Sequence, residues 1–231
     1  MLRSWEQLPE SMRKEAVRPY YNLLRSRQGA LAGKRAMDVF LAFVLTILLS
    51  PVMLAIGAAI KIEDRGPVFY RQERVTAWGR TFRIFKFRTM IADADQKGPL
   101  ITGKADARIT RVGRRLRGSR LDELPQLLNI LAGDMSFVGT RPEVRKYVDC
   151  YTDEMMATLL LPAGVTSQAS IAFKEEDELI AEYTEKGETV DEAYVKRILP
   201  QKMRYNLEYL KRAGIAGDLK IMARTVLEVL R

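Results

Sequence analysis

The sequence contains no histidine, and its single cysteine is Cys150. The absence of histidine excludes histidine bases, Ser-His and Cys-His nucleophiles, and metal sites that need an imidazole ligand. Acid–base or nucleophilic chemistry must therefore come from Asp, Glu, Lys, Tyr or Ser. One cysteine cannot form an internal disulfide, which favours a reducing, cytoplasmic setting for the soluble part. The 231 residues show no internal repeat or low-complexity linker, and they suffice for one or two domains with a real core.

The charge is positive overall and unevenly distributed. The net charge is +9 and the isoelectric point is about 9.7. Residues 61–120 carry sixteen Lys/Arg and six Asp/Glu, a net +10, whereas residues 150–199 carry four and eleven, a net −7. The basic half predicts an acidic partner, which could be nucleic acid, anionic lipid or a phosphorylated substrate.

Residues 39–60 form a run of 22 residues without a charge. Its length and polarity predict a membrane segment, and it does not read as a cleavable signal peptide because it starts too late and lacks a small-residue cleavage site. Basic residues flank it on both sides, namely Lys34, Arg35, Lys61 and Arg65. That pattern favours the cytoplasm at both ends, and Ser50-Pro51 predicts a kink near the middle, where the Ser50 hydroxyl can bond a freed carbonyl. A helix that enters, bends at Ser50-Pro51 and returns to the same face satisfies both observations. A kinked true span and a buried core helix are the alternatives.

The residues before this run predict a short amphipathic surface helix interrupted near Pro19. Its hydrophobic residues recur at every fourth position, and these are Leu8, Met12, Ala16, Tyr20 and Leu24. The helix could lie on a membrane, on the main domain or on a partner, and a solvated extra helix is the structural alternative.

The residues after the run predict mixed secondary structure. Residues 66–90 alternate apolar and basic residues around a Gly-containing turn, which predicts a β-hairpin. Residues 93–103 and 162–166 are interpreted as loops, and the acidic residues 173–192 as helical and solvated. Two more helices are expected at residues 199–210 and from Asp218 onward, the last with an apolar stripe.

Two adjacent acids, Asp122 and Glu123, follow the most basic stretch, since residues 104–120 hold seven Lys/Arg against one Asp. Leucines spaced by three and four predict an amphipathic helix here, and Pro125 fits only its first turn. We therefore expect the helix to begin near Asp122. Both acids would then lie at its positive end, a site for phosphate that keeps Asp122 ionised. The structural alternative is that the acids only cap the helix. Carboxylates also suit Mg²⁺, which pairs them with substrate phosphates.

Basic residues elsewhere are candidate phosphate ligands. Lys86 and Arg88 share one strand face at period two, which predicts either a phosphate-facing pair or a solvated face. Arg141 precedes Pro142, which favours an extended backbone and a well-held guanidinium suited to bidentate phosphate contacts.

In their order, these motifs resemble the bacterial sugar transferases, the monotopic polyprenyl-phosphate phosphoglycosyl transferases. The resemblance runs from about Lys34 to the end of the chain. The sequence looks like the small, minimal form of the family, which lacks the multi-span N-terminal region of larger relatives. It rests on the blocks KRAMDVFLA with the Ser50-Pro51 break, GPVFYRQERV, FRIFKFRTM, ITRVGRRLRGSRLDELPQLLNIL, GDMSFVGTRPE and DLKIM.

The resemblance implies a specific chemistry. A sugar-1-phosphate would pass from a nucleoside diphosphate sugar, usually a UDP-sugar, to polyprenyl (undecaprenyl) phosphate, the first membrane step of bacterial glycan assembly. Asp122 would be the nucleophile that forms a phosphosugar–aspartyl intermediate as UMP leaves, and Glu123 would hold Mg²⁺ together with Asp122. Substrate would be bound by Lys86, Arg88, Arg117, Thr140, Arg141 and Pro142.

The resemblance also implies an architecture, a mainly helical α+β fold in three parts. These are an N-terminal amphipathic helical extension (1–33), a re-entrant membrane helix (34–62), and a compact cytoplasmic catalytic domain with a small β-hairpin (63–231). The protein would be monotopic, on the cytoplasmic face of the bacterial inner (plasma) membrane. Its partners would be nucleotide sugar, polyprenyl phosphate and membrane lipid, with no nucleic acid, and homo-oligomerisation is left open.

Two departures from the family pattern concern the substrate. Thr140 replaces the first proline of a Pro-Arg-Pro element, and residues 164–170, GVTSQAS, lack the tryptophan that many relatives carry there. The sugar of the donor therefore cannot be carried over.

Other classes of protein explain only part of this sequence. A non-catalytic membrane adaptor that binds anionic lipid explains the basic half but not the acids Asp122 and Glu123 within it. A nucleic-acid-binding module leaves the apolar run unexplained. An enzyme with a single true span differs from the re-entrant form in the location of its termini.

Overall fold

The computed structural model of the protein describes residues 2–91, Ala94 and residues 106–230. The loop expected at residues 93–103 lies outside the described residues, apart from Ala94. Within the described part, helices dominate and the strands form two small two-stranded sheets. The α-helices are α1 (Arg18–Ser26), α2 (Gln28–Asp64), α3 (Arg111–Gly118), α4 (Gln126–Ala132), α5 (Arg145–Val148), α6 (Gln168–Ala172), α7 (Glu176–Glu185), α8 (Val190–Ala193), α9 (Leu199–Arg212) and α10 (Ile215–Leu230). The strands are β1 (Phe69–Val75), β2 (Thr81–Phe87), β3 (Met135–Val138) and β4 (Ala163–Thr166). The mainly helical α+β class is confirmed.

The predicted hairpin is formed by β1 and β2, which pair antiparallel with Tyr70 opposite Lys86. The connecting turn, Ala77–Gly79, requires left-handed backbone at two positions, with φ of 61° at Trp78 and 70° at Gly79. Glycine adopts such a conformation at no steric cost, which explains the Gly-containing turn of the sequence. The hairpin places Lys86 near the end of β2.

The loop expected at residues 162–166 is wrong beyond Pro162, because Ala163–Thr166 form β4, parallel to β3. Two glycines allow the approach: a Cβ on Gly164 would lie 2.1 Å from the backbone nitrogen of Gly139. The Gly139 N–H donates to the Thr166 carbonyl at 3.1 Å, and the Gly164 N–H donates to the Thr140 carbonyl at 2.9 Å. A four-residue strand rich in small residues shows no period-two alternation, so the sequence pattern could not indicate it.

The N-terminal residues pack onto the main domain. Pro19 lies in the first turn of α1 and does not interrupt it, because the first N–H groups of a helix have no intrahelical partner. Residues before it form 3₁₀ turns rather than the predicted helix. Five side chains from this segment are buried in the same hydrophobic cluster as β3 and α9, and these are Leu8, Met12, Val17, Tyr21 and Leu24. Of the three positions left open for this segment, the structure shows contact with the main domain.

Helix α2 runs continuously through Pro51. Because proline lacks an N–H, the carbonyl of Ile47 loses its helical donor, and the Ser50 hydroxyl donates to it at 2.8 Å, as predicted. Within the described residues, α2 is the helix long and apolar enough to cross a membrane by length and composition, and 11% of its most apolar window is buried in the protein.

One face of α2 packs against the domain along its length, and the other is exposed. The packed face carries residues at helical spacing, namely Lys34, Asp38, Ala42, Leu45, Leu49, Met53, Ile56 and Ile60. The exposed face carries large apolar side chains, including Phe40, Phe43, Ile47, Leu48 and Leu54. At the far end, Glu63 accepts a hydrogen bond from the Arg111 N–H at 2.8 Å. Both ends of α2 are thus fixed to the same domain.

A buried polar cluster holds the base of α2. The Lys34 ammonium forms an ion pair with Asp218 and donates to the Ser136 hydroxyl at 2.6 Å. The Tyr209 hydroxyl donates to Asp218 at 2.9 Å, and Ser136 donates to Asp38 at 2.8 Å. Asp218 was expected to open the last helix, but α10 begins at Ile215, and the carboxylate is fully buried in its first turn.

Lys34→Met is expected to destabilise the protein by about 3–5 kcal/mol, because it leaves the buried carboxylates Asp38 and Asp218 without their cation. The measurement is thermal or denaturant unfolding of the detergent-solubilised chain. Lys220→Met, which removes the same charge from an exposed position on α10, should have little effect. Equal stability of the two variants would contradict this assignment.

Candidate active site

The predicted start of the helix after the acid pair is wrong. Asp122 and Glu123 lie in a separate 3₁₀ turn, Leu121–Glu123, and α4 begins at Gln126 with Pro125 as its N-cap. The backbone of Arg120 is left-handed, with φ 57°, and it separates this turn from α3. The acids therefore precede α4 by a turn, so the positive end of that helix does not explain their state.

Helix α4 is fixed to the hairpin by Asn129. Its side-chain oxygen accepts from the Phe85 N–H at 2.8 Å, and its amide donates to the Arg83 carbonyl at 3.1 Å. This pairing gives the backbone N–H of Phe85 a side-chain acceptor. It also brings the 3₁₀ turn Leu121–Glu123 against the end of β2.

Glu123 joins three segments of the chain. Its Oε1 accepts from Lys86 Nζ of β2 at 2.9 Å and from Arg141 Nη2, which follows β3, at 2.7 Å. Burial alone would raise the pKa of Glu123, but the charges of Arg141 and Lys86 outweigh burial and hold it well below the ordinary value. Glu123 is thus ionised and paired on two sides.

Asp122 has the opposite environment. It is 7% exposed, and its Oδ1 has no hydrogen-bond partner among the described residues. Burial raises the pKa of the Asp122 carboxyl, an effect that Glu123 reinforces and that Lys86, Arg117 and Arg141 partly offset. Burial, rather than a helix end, therefore sets the pKa of the Asp122 carboxyl, and it raises that pKa instead of lowering it. A poorly solvated carboxylate is more basic, and it is available to react.

The predicted basic ligands separate into two groups. Lys86 and Arg141 contact Glu123, and the charge of Arg117 acts on Asp122. Arg88 lies beyond the end of β2, is buried, and forms an ion pair with Asp64 at the end of α2. The structure therefore does not bring Arg88 into contact with the acid pair, so the predicted shared phosphate face of Lys86 and Arg88 does not form.

Residues 140–142 are buried or half-buried and fixed by backbone contacts. The Thr140 hydroxyl is buried without a partner in the described structure, and its carbonyl accepts from the Gly164 N–H. The Pro142 carbonyl accepts from Arg74 Nη1 at 3.2 Å. These contacts hold Arg141 in place although Thr140 stands where the family has proline.

A cavity of about 680 Å³ opens beside the acid turn. Glu123, Arg120 and Arg141 line one side, and Leu45 and Leu49 of α2 contribute an apolar wall.

The cavity is also lined by residues for which the sequence offered no functional prediction. Lys202 of α9 lies there within 2.9 Å of Glu176, in the acidic segment that was expected to be solvated. Lys202 shares the buried face of α9 with Leu199, Met203 and Tyr209. A lysine among apolar residues at helical spacing is the sequence signal that could have indicated this position.

The acid pair can accommodate a magnesium ion. No cluster of three or more acidic or cysteine ligands occurs among the described residues. Mg²⁺ often uses only one or two carboxylates and takes its remaining ligands from water and substrate phosphates. The carboxylate oxygens of Asp122 and Glu123 are donors of this kind, and Glu123 would become available if a phosphate took over Lys86 and Arg141.

Comparison with known proteins identifies the family. The model of the bacterial sugar transferase family matches residues 29–231, so the chain belongs to that family. A UDP-glucose:undecaprenyl-phosphate glucose-1-phosphate transferase of Caulobacter vibrioides is 37% identical over 196 residues, which cover 84% of this chain and 68% of that protein. A UDP-N-acetylgalactosamine-undecaprenyl-phosphate N-acetylgalactosaminephosphotransferase of Aeromonas hydrophila is 36% identical over 85% of this chain. An Escherichia coli K12 protein with the same name as the Caulobacter one is 32% identical over 94% of this chain. The chain spans 43% of the Aeromonas protein and 44% of the Escherichia coli protein.

Asp122→Asn is expected to raise the melting temperature at neutral pH, because it removes a buried charge with an unpartnered oxygen. The folded pKa of Asp122 lies above the unfolded value, so the ionised carboxylate costs stability above the folded pKa and costs nothing below the unfolded pKa. The gain should therefore be present at pH 7.5 and shrink towards pH 3.5. Asp149→Asn, at an exposed position, is the charge-matched control. A lower melting temperature for Asp122→Asn at pH 7.5 would show that the charge stabilises the fold.

Proposed function

We propose that this protein transfers a sugar-1-phosphate from a UDP-sugar to polyprenyl phosphate and releases UMP. The observation that carries the proposal is the unequal acid pair: a paired, ionised Glu123 beside a desolvated Asp122 with a free oxygen. The names of the relatives, which act on UDP-sugars and undecaprenyl phosphate, support the same reaction class.

In the proposed reaction Asp122 is the nucleophile. Its Oδ1 attacks the phosphorus that carries the sugar, a new O–P bond forms, and the bond to the bridging oxygen breaks, so that UMP leaves with that oxygen. An oxygen of polyprenyl phosphate then attacks the same phosphorus and displaces the Asp122 carboxylate. Splitting one phosphoryl transfer into two displacements is the usual advantage of a covalent intermediate.

The basic residues around Asp122 neutralise the phosphates. Lys86, Arg141 and Arg117 are the cations that act on the acid pair, and positioned positive charge is the main contribution of a protein to phosphoryl transfer. Arg88, Thr140 and Pro142 are further candidates for substrate binding, although Arg88 pairs with Asp64.

Mg²⁺ is part of the proposal, with Glu123 and Asp122 as its protein ligands. When bound, it would neutralise charge on the substrate phosphates. The cations Lys86 and Arg141 would then turn from Glu123 to phosphate, which is the exchange that frees Glu123.

We further propose that α2 is a re-entrant membrane helix and that the catalytic part lies on the cytoplasmic face of the bacterial inner membrane. Support comes from the domain contacts along its whole length, from Lys34 to Glu63, and from the apolar exposed face. A straight span would draw the charged domain into the bilayer, at a high cost for each buried charge. The apolar cavity wall of Leu45 and Leu49 would face an approaching lipid chain.

Asp122→Asn should abolish UMP release, by at least about 10³-fold, because the amide cannot form the acyl phosphate. UMP is measured with the chain in nanodiscs, polyprenyl phosphate, Mg²⁺ and a panel of UDP-sugars. Asp149→Asn should keep wild-type rates. Full activity of Asp122→Asn would contradict the nucleophilic role and indicate direct transfer between the substrates.

The topology is tested with single cysteines at both ends of α2, Gln28→Cys and Arg65→Cys, in a Cys150→Ser background. A membrane-impermeant maleimide should label both positions from the cytoplasmic side only, because both ends contact the same domain. Labelling of the two positions from opposite sides would establish a true span.

A further inference from the structure

Lys202 is a further cation that lines the cavity, in addition to Arg120 and Arg141. Lys202 is only 6% exposed, and its side chain lines the cavity. The ammonium has three partners: Glu176 Oε2 at 2.9 Å, the Tyr194 hydroxyl at 3.0 Å and Glu143 Oε1 at 3.6 Å. The Tyr194 hydroxyl accepts a hydrogen bond from the ammonium, and the two carboxylates neutralise its charge in the absence of substrate.

Two of the three partners of Lys202, Glu143 and Tyr194, are buried outside the cavity lining. Glu143 is 7% exposed and accepts from the Tyr194 hydroxyl, and its carbonyl accepts from the Val75 N–H at 2.9 Å. Neither Glu143 nor Tyr194 lines the cavity. They form a fixed, buried support for the ammonium.

The third partner, Glu176, lies in the cavity itself. Its side chain is 25% exposed, and it belongs to the first turn of α7, in which Ile180 is the single buried residue. The negative charge of Glu176 also contributes, after Glu123 and Glu143, to the raised pKa of Arg141. The Glu176 carboxylate is therefore an internal anion that acts on two cations of the site, Lys202 and Arg141.

We propose that Lys202 binds a phosphate group of a substrate, and that Glu176 occupies this position until the phosphate displaces it. The inference rests on the proposed function, since it assigns a further cation to the same site. A phosphate monoester carries more negative charge than a carboxylate and offers more acceptor oxygens, so it competes well for an ammonium with a fixed orientation. The displaced Glu176 can be solvated, because α7 lies at the surface. A purely structural role, in which Lys202 only ties α9 to α7, is the alternative.

The test is the binding of two phosphate probes to the full chain in nanodiscs, measured by calorimetry. UDP represents the diphosphate of the donor, and farnesyl phosphate represents the acceptor. Glu176→Gln should bind the probe whose phosphate lies at Lys202 about fivefold more tightly, because the competing anion is gone. Lys202→Met should bind it about tenfold or more weakly, and Lys202→Arg should retain most of the affinity. Glu185→Gln, an exposed acid on the same helix, should match the wild type.

The outcomes separate the two roles of Lys202. A response with UDP alone assigns the position to the donor, and a response with farnesyl phosphate alone assigns it to the acceptor. If Glu176→Gln only lowers the melting temperature and binds neither probe more tightly, the displacement is refuted. If both Lys202 variants bind both probes as the wild type does, the phosphate role is refuted, while continued UMP release by the wild type would leave the proposed function intact. Failure of the wild type both to bind the probes and to release UMP from any UDP-sugar would refute both.

Discussion

The carboxylate of Glu123 is the contact on which the site depends. It accepts from Lys86 of the hairpin and from Arg141 behind β3, so three segments distant in sequence meet at one oxygen. Both cations pair with Glu123. Neighbouring Asp122 is buried and has no directly bonded counterion among the described residues. Burial then raises its pKa, although the nearby positive charges limit the effect. One acid organises the cations, and the other is left free to react.

The membrane-type helix and the site are mechanically connected through β3. At the base of α2, Lys34 donates to Ser136 and to the Val138 carbonyl, both in β3. Arg141 lies three residues beyond Val138, and the intervening backbone is clamped by Gly164 of β4. A shift of α2 relative to the domain would therefore move the guanidinium that pairs with Glu123. The connection ties the base of α2 to the cation that pairs with Glu123.

The sequence predicted elements that have strong local signals. The hairpin was recognised from its alternation and its Gly-containing turn, and the Ser50 contact followed from the missing N–H of Pro51. The uncharged run was recognised by length alone. The acid pair and the partners Lys86 and Arg141 were recognised partly from the resemblance to a family, because spacing alone could not bring residues 86, 123 and 141 together.

The predictions that were wrong concern features set by tertiary contacts, which a local sequence pattern does not show. Strand β4 exists because Gly164 can approach Gly139, a requirement without a local pattern. The state of Asp122 is set by burial rather than by a helix end, and burial depends on the whole fold. Arg88 was assigned to a strand face, but it follows the end of β2 and pairs with Asp64. The contact between Lys202 and Glu176 was not predicted, because a charged stretch normally indicates a solvated surface.

The most direct test of the account is to trap the covalent intermediate. The wild-type chain in nanodiscs is incubated with Mg²⁺ and its UDP-sugar without polyprenyl phosphate, rapidly denatured, and analysed by intact mass and peptide mapping. The account predicts a mass increase equal to one phosphosugar, located on Asp122, that disappears when polyprenyl phosphate is added. An unmodified Asp122 in a preparation that releases UMP only when acceptor is present, or an adduct on another residue, would contradict it.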